Sequence, residues 1–276
     1  MDRIRLIASD MDATLLDERG CLPAGFEQTV HALAALGIRF APASGRPLYT
    51  LEELFPTLRD ELVFIGDNGG AIRWKGQNLF TSEMSPEGWR ALNRLTREQG
   101  DIAVLCGLES AYVERPFAVH DAVLRHFYTK IEYVDRLEDV TAPADKFTIY
   151  LPQHNAQQAY DTVYASQRSI YSVAVAGECW VDIMNPGVHK GAALQTLGQL
   201  WGLPSESIMA FGDTYNDAEM LQTVRYGFLM ENGSEPLRQK VPFLALSNRE
   251  AGVIQVLHRV LAQNGCVCPE DFVPAH

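Results

Sequence analysis

The stretch Ser9-Asp10-Met11-Asp12-Ala13-Thr14-Leu15-Leu16-Asp17 follows an apolar run, Ile4-Arg5-Leu6-Ile7-Ala8, and the junction between them decides the fold. The run reads as a buried strand, so two carboxylates stand at a strand's C-terminal end. In open α/β sheets that edge opens into the crevice where ligands bind. Strand alternation puts Asp10 and Asp12 on one side for as long as strand geometry lasts, and like charges so placed repel unless a cation or shared proton relieves them. Hard oxygen ligands favour Mg²⁺, which keeps room for water and a substrate phosphate. An isolated Asp-x-Asp is equally a pair of solvated turn acids or helix caps. Other parts of the chain decide between these readings.

Three further stretches accompany the first in chain order: Ala43-Ser44-Gly45-Arg46-Pro47 after a second apolar run, Lys190 within Gly187-Val188-His189-Lys190-Gly191, and Gly212-Asp213-Thr214-Tyr215-Asn216-Asp217 after a late one. Acid pair, hydroxyl, lysine and acid cluster, with a wide gap before the lysine, resemble the four motifs of the haloacid dehalogenase (HAD) superfamily. Within it the chain is most similar to the Cof-type phosphatases with a large inserted C2 cap. The resemblance runs over essentially the whole chain. One position departs from it, since Ala13 stands where the family usually has Gly, and Ala tolerates positive φ poorly.

The resemblance implies a set of roles. Asp10 is the nucleophile that becomes an aspartyl phosphate, and Asp12 protonates the leaving oxygen and then activates water. Mg²⁺ is held by Asp10, the backbone carbonyl of Asp12 and Asp213, while Asp217 supports the metal shell or orients the lysine. Ser44 and Lys190 contact the phosphoryl group. Lys190 also opens a helix, where the dipole disfavours a cation, which favours a functional over a snorkelling lysine. Asn216 reaches the phosphate, orients Asp217 or caps a helix. Arg46 and Asn68, on loops at the same sheet edge, either touch substrate or brace their loops.

A chain of 276 residues accommodates two cores, and 47% hydrophobic with 21% charged residues is ordinary for a globular protein. The formal net charge of −12 argues against a nucleic-acid partner. It leaves a small phosphorylated substrate open, because a metal and a lysine reverse the field inside one cleft. Five scattered cysteines suggest free thiols in a reducing compartment, Cys266-Val267-Cys268 included. No signal peptide or membrane-length apolar run is apparent, so the expectation is a cytoplasmic protein without membrane association. Oligomeric state leaves no mark in the pattern.

Along the chain, a helix over 23–37 carries Phe26, Val30, Leu33 and Leu36, followed by a strand at 38–43, a short helix with Leu51 and Leu54, and a strand at 62–65. That alternation predicts a Rossmann-like parallel sheet with crossover helices. A hairpin turns at Lys75-Gly76. From 83 to 184 the character changes to helices at 86–99, 118–127 and 155–165 among strands at 102–105, 111–114, 146–151, 171–175 and 180–183. This is the inserted α+β cap, with antiparallel strands and helices on one face. The α/β core accordingly comprises 1–82 and 185–276, resuming with a helix from Lys190, a strand at 208–211, a helix through Met220, strands at 226–230 and 243–246, and a last helix at 250–262. Residues 266–276 read as a surface tail. The tryptophans Trp89 and Trp180 read as core, and His120, His126 and His189 lack metal-ligand spacing.

The favoured function is a Mg²⁺-dependent phosphatase acting on a small phosphorylated metabolite, a sugar phosphate being one option. A phosphomutase using the same intermediate and a non-catalytic phosphometabolite sensor are the alternatives.

Overall fold

The computed structural model describes residues 1–276, and the chain divides into two compact units: Met1–Gly45, Phe55–Leu79 and His189–His276 form the first, Arg46–Leu54 and Phe80–Val188 the second. The first contains a nine-stranded sheet. Its centre is parallel, running in the order Phe243–Ala245, Tyr226–Met230, Ile208–Gly212, Leu6–Asp10, Arg39–Ala43 and Val63–Gly66. Both edges turn antiparallel, through Ala71–Trp74 on one side and Val273–Pro274 on the other. Every residue of Leu6–Asp10 is buried, as expected for a strand covered on both faces, whose sequence is apolar without alternation. From Leu6–Asp10 the chain first builds outward through 39–43 and 63–66, then returns to pair 208–212 on the opposite side. This reversal is a topological switch point, and it brings Asp10 and Asp213 to one crevice edge.

The hairpin turns at Lys75 and Gly76, both with positive φ. Phe26–Ala35 and Gly252–Ala262 are amphipathic helices whose apolar stripes, including Phe26, Val30, Leu33 and Val253, Leu257, Val260, are buried. The C-terminal segment is no surface tail. Cys266–Val267 pairs with Asp2–Arg3, and Phe272 packs edge-on against Phe228 and Tyr226, so aromatic burial ties the chain end to the sheet.

The second unit is a six-stranded sheet. Its helix Pro86–Gln99 starts at Ser85, whose hydroxyl accepts the Gly88 N–H at 3.1 Å, and stops at Gly100 in the left-handed region. Three expectations are corrected here. Ile131–Val134 is an additional strand, and it runs parallel to Ala111–Glu114; the intervening residues 115–130, with the helix Asp121–Phe127, are long enough for a crossover. Helices cover both faces, because Trp89, Leu92 and Ala156 share one apolar cluster while Leu124 and Tyr128 share another with Trp180. Finally, Arg46–Leu54 groups with this unit rather than with residues 1–82. Its helix Leu48–Glu53 carries Thr50, whose hydroxyl accepts the Thr129 N–H at 3.1 Å, and Lys130 lies 5.7 Å from the Tyr49 ring centroid.

Candidate active site

The site is built on the C-terminal ends of Leu6–Asp10 and Ile208–Gly212 and on the first turn of the helix Lys190–Trp201. Lys190 is fully buried, and its ammonium donates to Asp10 Oδ1 and, at 2.7 Å, to Asp217 Oδ1. Burial alone would lower the lysine's pKa; the two carboxylates overcome that and hold it above the ordinary value. A cation at a helix N-terminus opposes the dipole, and here the acid pair offsets that cost. His189, just before it, is the helix cap, its Nδ1 accepting the Ala192 N–H at 3.2 Å.

Asp217 is a supporting residue on both of its oxygens. While Oδ1 receives Lys190, Oδ2 accepts the backbone N–H of Asp213 at 3.1 Å and of Thr214 at 3.2 Å. A Cβ on Gly212 would lie 2.4 Å from the Asp217 Cβ, so the glycine is what allows this acid to fold back over the strand end. Asn216 does not cap the following helix, Ala218–Thr223, whose N-cap position is Asp217; it is exposed and accepts the Thr214 hydroxyl. Thr214 and Asp217 form the capping box of that turn, leaving no N-cap position for Asn216 to fill.

Asp10, Asp213 and Asp217 present carboxylate oxygens within 4.8 Å of one another, all buried. Burial, followed by the Asp217 and Asp213 charges, raises Asp10 well above the usual carboxylate range against the pull of Lys190. Asp213 is pushed up to about 6, by burial first and then by Asp217. Three acids thus face one ammonium in a desolvated space. The donor set is all hard oxygen with an excess of negative charge, and it fits Mg²⁺. Asp12 stands apart from the trio, and its side chain is exposed.

The chain leaves strand geometry directly after Asp10. Ala13 has φ 60° and ψ 6°, and the Leu16 N–H closes a wide turn onto the Met11 carbonyl at 2.8 Å. That turn breaks the simple alternation of Asp10 and Asp12. Within it Thr14 is buried and donates to Asp213 Oδ1 at 3.3 Å, tying the two acid stretches together. This role went unassigned in the sequence, where nothing marks a contact between residues 199 apart. Asp17 lies farther on, held below the ordinary carboxylate range by the Cys21 and Arg19 N–H groups, as a half-buried loop acid.

Ser44 is buried at the end of Arg39–Ala43, its N–H donating to Ile65 and its carbonyl accepting the Asn68 N–H, both at 2.9 Å. Asp67, Asn68 and Gly69 all have positive φ, a strained run of the sort found at functional loops. A Cβ on Gly69 would meet the His189 carbonyl at 2.6 Å, so this loop abuts the start of the lysine helix. Ser44, Asn68 and Lys190 are thereby brought to one edge. Arg46 belongs to the other compact unit.

A family model described as haloacid dehalogenase-like hydrolase matches residues 7–257. A 5-amino-6-(5-phospho-D-ribitylamino)uracil phosphatase of Escherichia coli (strain K12) is 32% identical, over 94% of this chain and 96% of its own. An HMP-PP phosphatase of Cronobacter sakazakii is 30% identical, over 87% and 89%. A solved structure from Streptococcus mutans UA159 superposes with a TM-score of 0.83 at 29% identity, covering 94% of this chain and 99% of that one. No helix is long and apolar enough to cross a membrane.

Proposed function

The chain belongs to the haloacid dehalogenase-like hydrolases, among relatives that are phosphatases, and from that premise we propose that it hydrolyses a small phosphorylated metabolite with Mg²⁺ through an aspartyl phosphate on Asp10. The observation that carries this reading is the buried cluster in which Lys190 bonds to both Asp10 and Asp217 while Asp213 adds a third carboxylate. Asp10, Asp213 and the Asp12 carbonyl would hold the metal, with Asp217 beside them; when bound, Mg²⁺ neutralises charge on the transferring phosphoryl group.

The protein's own residues divide the remaining work. An Asp10 carboxylate oxygen forms a bond to phosphorus as the ester P–O bond breaks, and the departing oxygen takes its electron pair and a proton from Asp12. Asp12, now a base, removes a proton from water, whose oxygen bonds to phosphorus. The Asp10 O–P bond then breaks, restoring the carboxylate and releasing inorganic phosphate. Ser44 donates to a phosphoryl oxygen, and Lys190 supplies fixed positive charge beside the nucleophile, a preorganised interaction in a desolvated site. Asn68 and Asn216 add polar contacts at the rim.

The second unit is read as the cap, inserted at about residues 83–184 with Arg46–Leu54 attached to it, and as the element that sets substrate preference. The similarity to the Escherichia coli enzyme makes 5-amino-6-(5-phospho-D-ribitylamino)uracil the first compound to test, ahead of sugar phosphates. Phosphate release from a panel of such metabolites, with Mg²⁺ and after chelation, tests the reading. Turnover that vanishes on chelation and returns with Mg²⁺ is expected; full turnover without metal contradicts it.

A further inference from the structure

We propose that Asn232 and Asn248 are positioning residues that hold the turn carrying Asp12, an inference that rests on the phosphatase reading above. Asn232 follows the strand Tyr226–Met230 and Asn248 follows Phe243–Ala245, the two strands beyond 208–212 in the sheet. From there their side chains reach back across the sheet edge. Asn232 Nδ2 donates to the Ala13 carbonyl at 2.8 Å, and Asn248 Nδ2 donates to the Leu16 carbonyl at 2.9 Å. The pair is joined, because the Asn248 N–H donates to Asn232 Oδ1 at 3.1 Å.

These bonds fall on a segment that needs holding. Ala13 occupies the left-handed region, which L-residues with a Cβ resist, and it follows Asp12 directly. One amide grips the strained residue itself, and the other grips the exit of the turn. On the near side Thr14 ties the turn to Asp213. The same loop is anchored to the metal-side acid stretch, since the Ser234 N–H donates to the Asp213 carbonyl at 2.7 Å. The Asp12 backbone is thus bracketed between the acid stretch 213–217 and an Asn pair belonging to neither motif. Asparagine suits the task, offering a donor to a carbonyl and an acceptor to an N–H from one short side chain. Asn232 is exposed, so its bond adds little to stability, whereas a displaced acid costs rate steeply.

That asymmetry supplies the test. Asn232→Ala, Asn232→Asp, which keeps the shape without the donor, and Asn248→Ala are compared with wild type for kcat/KM on an alkyl phosphate and on 4-nitrophenyl phosphate, with Tm measured alongside. This ratio reports the steps through loss of the leaving group, and only the alkyl substrate depends strongly on protonation by Asp12. The expected result for Asn232→Ala and Asn232→Asp is a loss of about 10- to 100-fold on the alkyl phosphate and at most about threefold on the aryl one, with Tm nearly unchanged. Equal losses on both substrates, or no loss on either, overturn the proposal. Should Asn248→Ala fail to fold, the exposed Asn232 variants still decide it. Wild-type protein that turns over neither substrate refutes the phosphatase reading instead.

Discussion

Each compact unit buries a lysine against aspartate, and the two sites differ in how tightly and with what excess of charge. In the first, Lys190 makes direct hydrogen bonds to two carboxylates, with a third in the same cluster. In the second, Lys146 stands 3.7 Å from Asp182, which also accepts the Thr148 hydroxyl at 2.7 Å. Both lysines are buried, so burial alone does not mark a reactive site. A fixed, negatively overcharged cluster is suited to hold a cation and a nucleophile, whereas a separated ion pair on a sheet face is suited to specify packing and recognition.

The largest effect that would sharpen this contrast is at Lys190. Lys190→Met should lower kcat for every substrate by about 10²- to 10³-fold, since a preorganised charge beside the phosphoryl group is lost. Steady-state kinetics on a folded variant checks it, and a substrate-selective loss would break the contrast. Lys146→Met should instead cost stability, about 3 kcal/mol by urea unfolding, because the buried Asp182 loses the ammonium 3.7 Å away. In variants that stay folded, Mg²⁺-dependent turnover should persist. A loss of turnover as large as that of Lys190→Met would break the contrast.

A smaller effect follows from the raised carboxyl pKa values. Asp213 sits at about 6 against an ordinary 3.8, so in metal-free protein its folded form binds protons more tightly than the unfolded chain does. Its favourable contribution is full below 3.8 and is lost as pH rises through about 6. Metal competes with those protons, so the rise in Tm on adding Mg²⁺ should be greater at pH 8 than at pH 5. Equal rises at both would contradict the overcharged cluster. The smallest effect is at Ala13, where φ is 60°. Ala13→Gly removes a left-handed strain of about 1 to 2 kcal/mol and adds unfolded-state freedom worth about 0.5 to 1, so a net gain of at most about 1.5 kcal/mol is expected in denaturant unfolding.

The parallel core was legible because its chemistry sits at strand ends, where an apolar run gives way to Asp10, Ser44 or Asp213 and the change of character is local. Helices with capped, periodic faces, such as Pro86–Gln99, were legible for the same reason. Contacts made between distant segments left no such signal. The Asn232 bond to Ala13 joins residues 219 apart, and neither residue belongs to a periodic pattern. Ile131–Val134 is four residues long with no residue fully buried, too weak a pattern to stand out beside its helix. The final segment was misread because its prolines suggest a loose end, while the burial of Phe272 depends on Phe228, far back in the chain. Arg46–Leu54 follows a core motif directly, and its contacts with Thr129 and Lys130, not its place in the sequence, put it with the second unit.

The central claim is that Asp10 is the nucleophile held by Lys190, and phosphate release by Asp10→Asn under saturating Mg²⁺ tests it most directly. The amide preserves the shape of the carboxyl and cannot attack phosphorus. With deamidation excluded by the mass of the peptide carrying residue 10, turnover is predicted to fall by at least about 10⁴-fold in a variant that folds normally. A variant that releases phosphate within about tenfold of the wild-type rate would contradict the covalent account, because losses that small are within reach of altered charge alone.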